Sequence, residues 1–193
     1  GSYGGLTCVV EDATIVCAGG YTANQFQAGA FSIDLSANEL KWITLPSLSD
    51  SRVHHGMTSA NGYVYVIAGY CAHYCYSNTV EVLDMSNPTS WLITTSANNL
   101  PDSRYEPTAT SANGKIYVIG GYSRSGNNDA EYSSYLIGEA TYPSTSSWET
   151  VDMDSPSEWK NINSRVKRYA YYSIAGVTVV YTNTTSSLAF FLV

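Results

Sequence analysis

The feature that most constrains the fold of this 193-residue chain is an internal repeat. Segment 59–70, Ser-Ala-Asn-Gly-Tyr-Val-Tyr-Val-Ile-Ala-Gly-Tyr, returns at 111–122 as Ser-Ala-Asn-Gly-Lys-Ile-Tyr-Val-Ile-Gly-Gly-Tyr. Segments 11–21 and 174–181 are weaker copies. Markers that return in one order indicate a repeat architecture, in which each unit buries its apolar face against its neighbours. A Trp follows each of the first three copies and an Arg precedes each of the last three, at Trp42, Trp91, Trp148, Arg52, Arg104 and Arg165.

Each repeat unit is predicted to form four β-strands. In the second unit, Asn61-Gly62 favours a type I′ hairpin turn, because both central residues of that turn need a positive φ. The strand after this turn is apolar almost throughout, which is typical of a strand covered on both faces. Four strands about every 50 residues, with no sustained helical period, predict an all-β propeller. The strands predicted for the second unit are 53–60, 63–69, 79–84 and 91–95.

The order of Arg, hairpin, paired Gly, spaced aromatic residue and Trp resembles the kelch repeat. The resemblance covers nearly the whole chain and implies a single domain, 1–193, that is a kelch-like β-propeller of about four blades. Kelch propellers usually have more blades than this. The chain is therefore interpreted either as a fragment of a larger propeller or as a short chain that closes or assembles in an unusual way. The blades are predicted at about 3–51, 52–103, 104–164 and, incomplete, 165–193.

The last predicted blade has an open edge. Its third strand, predicted at 188–193, is not followed by a Trp-bearing outer strand. An unpaired strand edge is a template for pairing with another chain. Two interpretations stay open: the rest of a larger protein covers the edge, or a neighbouring subunit adds a strand to it and the chain self-associates.

Cys8 and Cys17 bracket the hairpin of the first blade. If Asp12-Ala13 is the turn, residue 11 pairs with 14, and Cys8 pairs with Cys17. The alternation along the hairpin makes this a non-hydrogen-bonded pair, where Cα atoms lie about 4.5 Å apart and a disulfide is feasible. The alternative is two buried free thiols, because the next two blades carry apolar residues at the equivalent positions.

Cys71 and Cys75 lie in the loop after the second strand of the second blade. They could close a small disulfide ring, remain free thiols or, with His73 between them and His54-His55 on the same rim, bind zinc. Recognised structural zinc sites use paired Cys-x₂₋₄-Cys units, and only one such pair is present. A disulfide is therefore predicted here, with no metal and no cofactor.

The cysteines also bear on the compartment. Two disulfides would indicate an oxidising environment, and the sequon Asn183-Thr184-Thr185 agrees with it. The sequence therefore predicts a secreted or extracellular protein that is glycosylated at Asn183.

Basic side chains are predicted to collect on the loop face of the propeller. Arg52, Arg104 and Arg165 precede first strands and Arg124 follows a second strand, so the blade topology brings all four to one face. The kelch resemblance implies that arginines at this repeat position hold acidic peptide ligands, which the planar guanidinium can grip through two hydrogen bonds. The alternative is that these arginines tie adjacent loops together, because an Asp stands two residues before Arg52 and before Arg104.

Tyrosines are predicted at the same rim. Tyr70, Tyr105 and Tyr122 are candidates for ligand contact, because Tyr supplies a rigid, amphipathic surface for recognition and also stacks against sugar rings. The alternative is that these rings pack between the blades.

The net charge and the absence of known motifs in the sequence argue against several classes of function. The net charge of −7 argues against nonspecific nucleic-acid binding, and no apolar run reaches the roughly 18 residues of a membrane span. No hydrolase, metalloprotease, P-loop or dinucleotide motif occurs, so no catalytic residue is predicted. The kelch resemblance also brings in copper-radical oxidases, which need a Tyr crosslinked to Cys and ligands from separate positions. Here the candidate residues come from one blade.

The sequence as a whole predicts a noncatalytic kelch-type recognition module that binds a protein or peptide through its loop face. An extracellular carbohydrate-binding or structural assembly component is the alternative. A copper-radical oxidase-like enzyme is the third hypothesis.

Overall fold

The computed structural model describes residues 4–23, 25–72, 75–94, 99–125, 128–131, 135–139, 148–151, 177–181 and 188–192. Within these ranges the chain forms strands and turns and contains no helix, which confirms the predicted all-β class. The strands are β1 (Thr7–Glu11), β2 (Thr14–Ala18), β3 (Tyr21–Thr22), β4 (Gln25–Phe26), β5 (Ala30–Asp34), β6 (Ile43–Leu45), β7 (Arg52–Val53), β8 (Gly56–Ala60), β9 (Tyr63–Ile67), β10 (Tyr70–Cys71), β11 (Cys75–Tyr76), β12 (Val80–Asp84), β13 (Trp91–Ile93), β14 (Thr108–Ala112), β15 (Lys115–Ile119), β16 (Tyr122–Ser125), β17 (Asn128–Glu131), β18 (Tyr135–Glu139), β19 (Glu149–Val151), β20 (Val177–Tyr181) and β21 (Leu188–Leu192).

Three four-stranded antiparallel sheets form the body of the described chain. Sheet one has the order β1-β2-β5-β6, sheet two β8-β9-β12-β13 and sheet three β14-β15-β18-β19. The first strands of the three sheets lie next to one another, because β8 contacts both β1 and β14. β14 also contacts β20, which pairs with β21. Sheets that meet through their first strands are consistent with part of a β-propeller.

The hairpins between first and second strands follow the predicted turns. Asn61 and Gly62 have φ values of 55° and 81°, and Asn113 and Gly114 have φ values of 52° and 70°. Positive φ at both central residues is the requirement of a type I′ turn, so the sequence prediction is confirmed. In sheet one, the pairing runs from Glu11↔Thr14 to Cys8↔Cys17, which is the predicted register.

The predicted first strand of the second unit, 53–60, is divided in the structure. β7 ends at Val53, and β8 begins at Gly56. Between them, His54 adopts a φ of 53°, which lies in the left-handed region. Glu106, in the next unit, occupies the equivalent position with a φ of 56°. The prediction of one continuous strand was wrong, because a left-handed residue interrupts the extended backbone.

The second strand is also shorter than predicted. β9 ends at Ile67, and the next two residues, Ala68 and Gly69, turn the chain with φ values of 59° and 99°. A Cβ atom at Gly69 would lie 2.7 Å from the Cβ of His55, so this position admits no side chain. After the turn, β10 pairs with β7 and β11 in a small three-stranded sheet. The paired-glycine positions therefore form the turn at which the chain leaves the large sheet and enters the smaller one.

Two apolar cores lie between the large sheets. The core between sheets one and two contains Val16 with Val64, Val66 and Trp91, whose side chains are at most 8% exposed. The core between sheets two and three contains Tyr65, Ile67, Val80, Val82, Ile116 and Val118. Alternation along each strand of sheet two therefore sends one set of side chains to each neighbour.

Serine hydroxyls join the first strands across these cores. Ser59 donates to the carbonyl oxygen of Val10 at 2.7 Å, and Ser111 donates to the carbonyl oxygen of Ser59 at 2.6 Å. The same repeat position thus makes the same contact at both junctions.

Candidate functional site

Arg52 and Arg104 are buried side chains, 2% and 0% exposed. In each unit the Nη1 atom donates to the carbonyl oxygen of the first left-handed residue in the paired-glycine turn, 16 residues further on. The acceptor of Arg52 is Ala68 at 3.1 Å, and that of Arg104 is Gly120 at 2.7 Å. The carbonyl oxygens of the two arginines accept from the preceding unit, from Gly20 and Gly69, both at 2.8 Å.

The charge of Arg52 is balanced inside the protein. Its Nη2 atom lies 2.5 Å from Oε1 of Glu81, which is 0% exposed. The other carboxylate oxygen of Glu81 accepts from the backbone N–H of Ser49 at 2.8 Å. Burial lowers the pKa of Arg52, and the negative charge of Glu81 opposes that change.

These contacts correct the assignment of Arg52 and Arg104 to a ligand-binding surface. Both guanidinium groups point into the fold and stabilise turns, because each finds a backbone carbonyl oxygen in its own unit. The two arginines fit the alternative interpretation, in which they hold neighbouring loops together. The carboxylate partner of Arg52 is, however, Glu81 rather than the neighbouring Asp50. Arg165 lies outside the described residues, and of Arg124 only the backbone is described, opposite Asp129. Their ligand contacts stay predictions.

The loop face instead carries a cluster of rings, here called the aromatic cluster: Phe26, His54, Tyr70, Tyr76 and Tyr105. Tyr70 is central, with its ring centroid 5.7 Å from Phe26, 5.6 Å from Tyr76 and 5.8 Å from Tyr105. Tyr76 and Tyr105 are stacked, with 5.6 Å between centroids and 16° between planes. All five rings are partly exposed and come from three consecutive units.

The backbone that follows the paired-glycine turn positions this cluster. Tyr70 pairs with Tyr76 across the β10–β11 hairpin, and the neighbouring pair is Cys71↔Cys75, which is joined by a disulfide. Tyr122 is the residue equivalent to Tyr70 in the next unit, and its backbone forms a β-bridge with Tyr105. The disulfide therefore fixes the hairpin that holds two of the five rings.

His54 and Glu106 lie at the edge of the aromatic cluster. Nδ1 of His54 is 3.3 Å from Oε1 of Glu106, and the N–H of Glu106 donates to the carbonyl oxygen of His54 at 2.9 Å. The His54 ring packs edge-on against Tyr105 at 5.1 Å. Burial raises the pKa of Tyr105, and the Glu106 charge acts in the same direction, so the phenol keeps its proton near neutral pH. Left-handed, non-glycine residues cost backbone energy and often cluster at functional sites.

All four cysteines are paired. Cys8 and Cys17 form a disulfide with their Cα atoms 4.1 Å apart, as predicted from the hairpin register, and Cys71–Cys75 is the second. The sulfur atoms of both pairs are held in disulfides, so in this structure none of them is a thiolate ligand or is crosslinked to Tyr. Among the described residues, no group of three or more His, Cys, Asp or Glu is placed to hold a metal ion. His73 and the sequon at Asn183 lie outside the described residues.

Sequence reasoning identified Tyr70 and Tyr105 but missed Phe26. Phe26 faces Tyr21 across the β3–β4 hairpin, as Tyr76 faces Tyr70 across β10–β11. An aromatic residue on each side of the short hairpin after a paired-glycine turn is the signal that could have revealed it.

In the described part of the chain, no helix has the length and apolar character needed to cross a membrane.

Comparison with known proteins supports the repeat assignment. The family model described as the kelch motif matches residues 51–89 and 103–132, which include the second and third paired-glycine turns. No curated protein gives a significant match to the chain. The two matched segments carry kelch motifs, which agrees with the recurring arginine, hairpin and paired-glycine structure of these units.

Proposed function

We propose that this chain is a noncatalytic recognition module that binds a protein or peptide through the aromatic cluster. The observation that carries the proposal is the cluster itself: five partly exposed rings, contributed by three units, on the face where the loops meet. Rigid aromatic side chains supply large contact areas and lose little conformational entropy on binding, and they are enriched among the residues that dominate binding energy.

The proposed ligand differs from the acidic peptide that the kelch resemblance implied. The two described arginines of the repeat are buried, and the carboxylate of Glu106 lies at the edge of the cluster with 20% of its side chain exposed. A partner would therefore meet tyrosine faces and an acidic group. Apolar or basic side chains fit such a surface, because a cation is attracted to both an aromatic face and a carboxylate.

The proposal includes an extracellular setting. Two disulfides in a chain of this size are favoured in oxidising compartments and are rare in the cytosol. Cys71–Cys75 would there lock the hairpin that carries Tyr70 and Tyr76. The site would consequently depend on oxidation for its shape.

Carbohydrate binding is the second candidate. Partly exposed tyrosine rings can stack against the apolar faces of sugars, and the cluster offers several in one patch. A glycan array separates the two candidates, because it presents sugars without any peptide.

Replacing Tyr105 with Ala should weaken peptide binding by about 30-fold, the equivalent of about 2 kcal/mol, because this ring contacts three members of the cluster. Peptides selected from a displayed random library against the oxidised chain would be the probe. Their dissociation constants would be measured by titration calorimetry for both proteins.

Tyr21→Ala is the matched control. Tyr21 holds the position equivalent to Tyr70 in the first unit, is 40% exposed and is outside the cluster as defined. Binding should change less than threefold in this variant. Selected peptides that bind both variants equally well would contradict the assignment of the site, and a library that yields no binder while the glycan array does would favour carbohydrate recognition.

A further inference from the structure

Side chains that face the preceding sheet follow one pattern in every unit. In sheet two they include Val64, Val66, Leu83 and Trp91, all at most 8% exposed and packed against sheet one. The Nε1 atom of Trp91 donates to the carbonyl oxygen of Pro46 at 2.8 Å. In sheet three the equivalent residues pack against sheet two; they are Ala109, Ile116, Val118 and Trp148.

The same positions in sheet one form an apolar face that is exposed in part, because Cys17 and Ile33 are buried whereas Val10 and Trp42 are more than half exposed. The face consists of Cys8, Val10, Ile15, Cys17 and Ile33 by strand register, together with Trp42 directly before β6, and is here called the open face. Trp42 is 54% exposed where Trp91 is 8% exposed, and Val10 is 53% exposed. Leu35 is 48% exposed, whereas Met85 at the equivalent position packs against the first core. The residues that lie between two sheets in units two and three therefore have equivalents in sheet one that no described part of the chain covers.

The two sheet-to-sheet contacts within the chain indicate what kind of surface would cover the open face. Two junctions in the chain show such a surface covered by the opposite face of another kelch unit, with the same serine and tryptophan positions in contact. The row of contacting strands runs β1, β8, β14, β20, and among the described residues β20 makes no extended contact with β1.

We propose that the open face docks a second copy of this chain, which presents the far side of its β20–β21 unit. That unit is the end of the row opposite sheet one, and its register pairs apolar residue types such as Val177↔Leu192 and Val179↔Phe190. Two such junctions, related by a twofold axis, would close a ring, which is how head-to-tail contacts avoid open-ended growth. Two copies double the three four-stranded sheets described, within the range of about 4–8 blades in propellers.

The charge of the chain makes the association salt-dependent in a defined direction. Each copy carries a net charge of −7, so the two copies repel one another at low ionic strength. The open face is apolar, and salt screens the repulsion without weakening the burial of apolar surface. Association should therefore strengthen as salt is raised, which is opposite to the behaviour of an interface held by ion pairs.

Size-exclusion chromatography with light scattering tests the proposal on the 193-residue chain, between about 1 and 100 µM and at low and high salt. The wild-type chain is expected to reach twice its mass of 20.9 kDa at the upper concentrations. Trp42→Glu should give the single-chain mass throughout, or a dissociation constant at least tenfold weaker. Because Trp42 is exposed in the described structure, this variant should keep the wild-type midpoint of thermal unfolding.

Leu92→Glu is the matched control. It introduces the same charge at an exposed apolar side chain of the outer strand of sheet two, outside the open face, and should leave the mass doubled. A wild-type chain that stays at the single-chain mass up to 100 µM would overturn the proposal. So would a folded Trp42→Glu chain that still doubles its mass, because association would then use another surface, such as the unpaired edge of the last blade.

Discussion

Replacing Glu81 with Gln is expected to lower the free energy of unfolding by about 3–5 kcal/mol, which is a large part of the stability of a domain of this size. The substitution keeps the volume of the side chain but leaves the Arg52 guanidinium without a counter-charge at a site that is 2% exposed. It also weakens the acceptor of the Ser49 N–H. Both groups lie where sheets one and two meet, so the loss should affect cooperative unfolding of the whole unit.

Urea unfolding followed by tryptophan fluorescence measures this change. Glu39→Gln is the matched control: it is the same chemical substitution at an exposed position, and it should shift the unfolding free energy by less than about 0.5 kcal/mol. If Glu81→Gln were as mild as the control, the Arg52–Glu81 pair would not stabilise the junction as described here.

The free energy of unfolding should decrease as the pH falls below 6.5, by up to about 1.4 kcal/mol per pH unit attributable to His55. His55 is 4% exposed, and burial together with the positive charge of Arg52 lowers its pKa from 6.5 to about 3. The unfolded chain takes up a proton near pH 6.5 and the folded chain does not until about pH 3. The stabilisation by neutral His55 is therefore complete above pH 6.5 and is lost progressively through that window.

The measurement is urea unfolding between pH 7.5 and 5.5, a range that lies above the titration of most carboxylates. His55→Gln should flatten the dependence, whereas His54→Gln, at a partly exposed neighbour, should retain most of it. If His55→Gln folds poorly, the nuclear magnetic resonance titration of the His55 ring in the wild-type chain gives the same information. A ring that titrates near pH 6.5 in the folded protein would contradict the prediction.

The hairpins could be predicted from the sequence because their determinants are local. Asn61-Gly62 and Asn113-Gly114 select type I′ turns through the conformations that two adjacent residues can adopt. Once the turn is known, strand register follows by counting, which is why the Cys8–Cys17 pair was predictable. The interruptions at His54 and Ala68 were not, because the partners of these left-handed residues lie far along the chain: Glu106 for His54, and Arg52 and Thr79 for Ala68.

The aromatic cluster could be predicted only in part. The sequence brought Tyr70 and Tyr105 to the loop face, but it also assigned Arg52 and Arg104 to that face. An arginine at the start of a strand can turn outward or inward, and its direction depends on acceptors that lie far along the chain, such as Ala68 and Glu81. Phe26 was missed for the same reason, since its partner Tyr70 belongs to another unit.

The sequence by itself determined the repeat, the all-β class and the Asn-Gly turns, and it favoured a disulfide for each of the two cysteine pairs. The tertiary structure decided which of the equivalent side chains are buried: Trp91 lies in a core, whereas Trp42, the same residue type at the same repeat position, is more than half exposed. Local conformational preferences act over a few residues and are the same in each unit. Burial depends on the neighbouring sheet, and sheet one has a described neighbour on one side only.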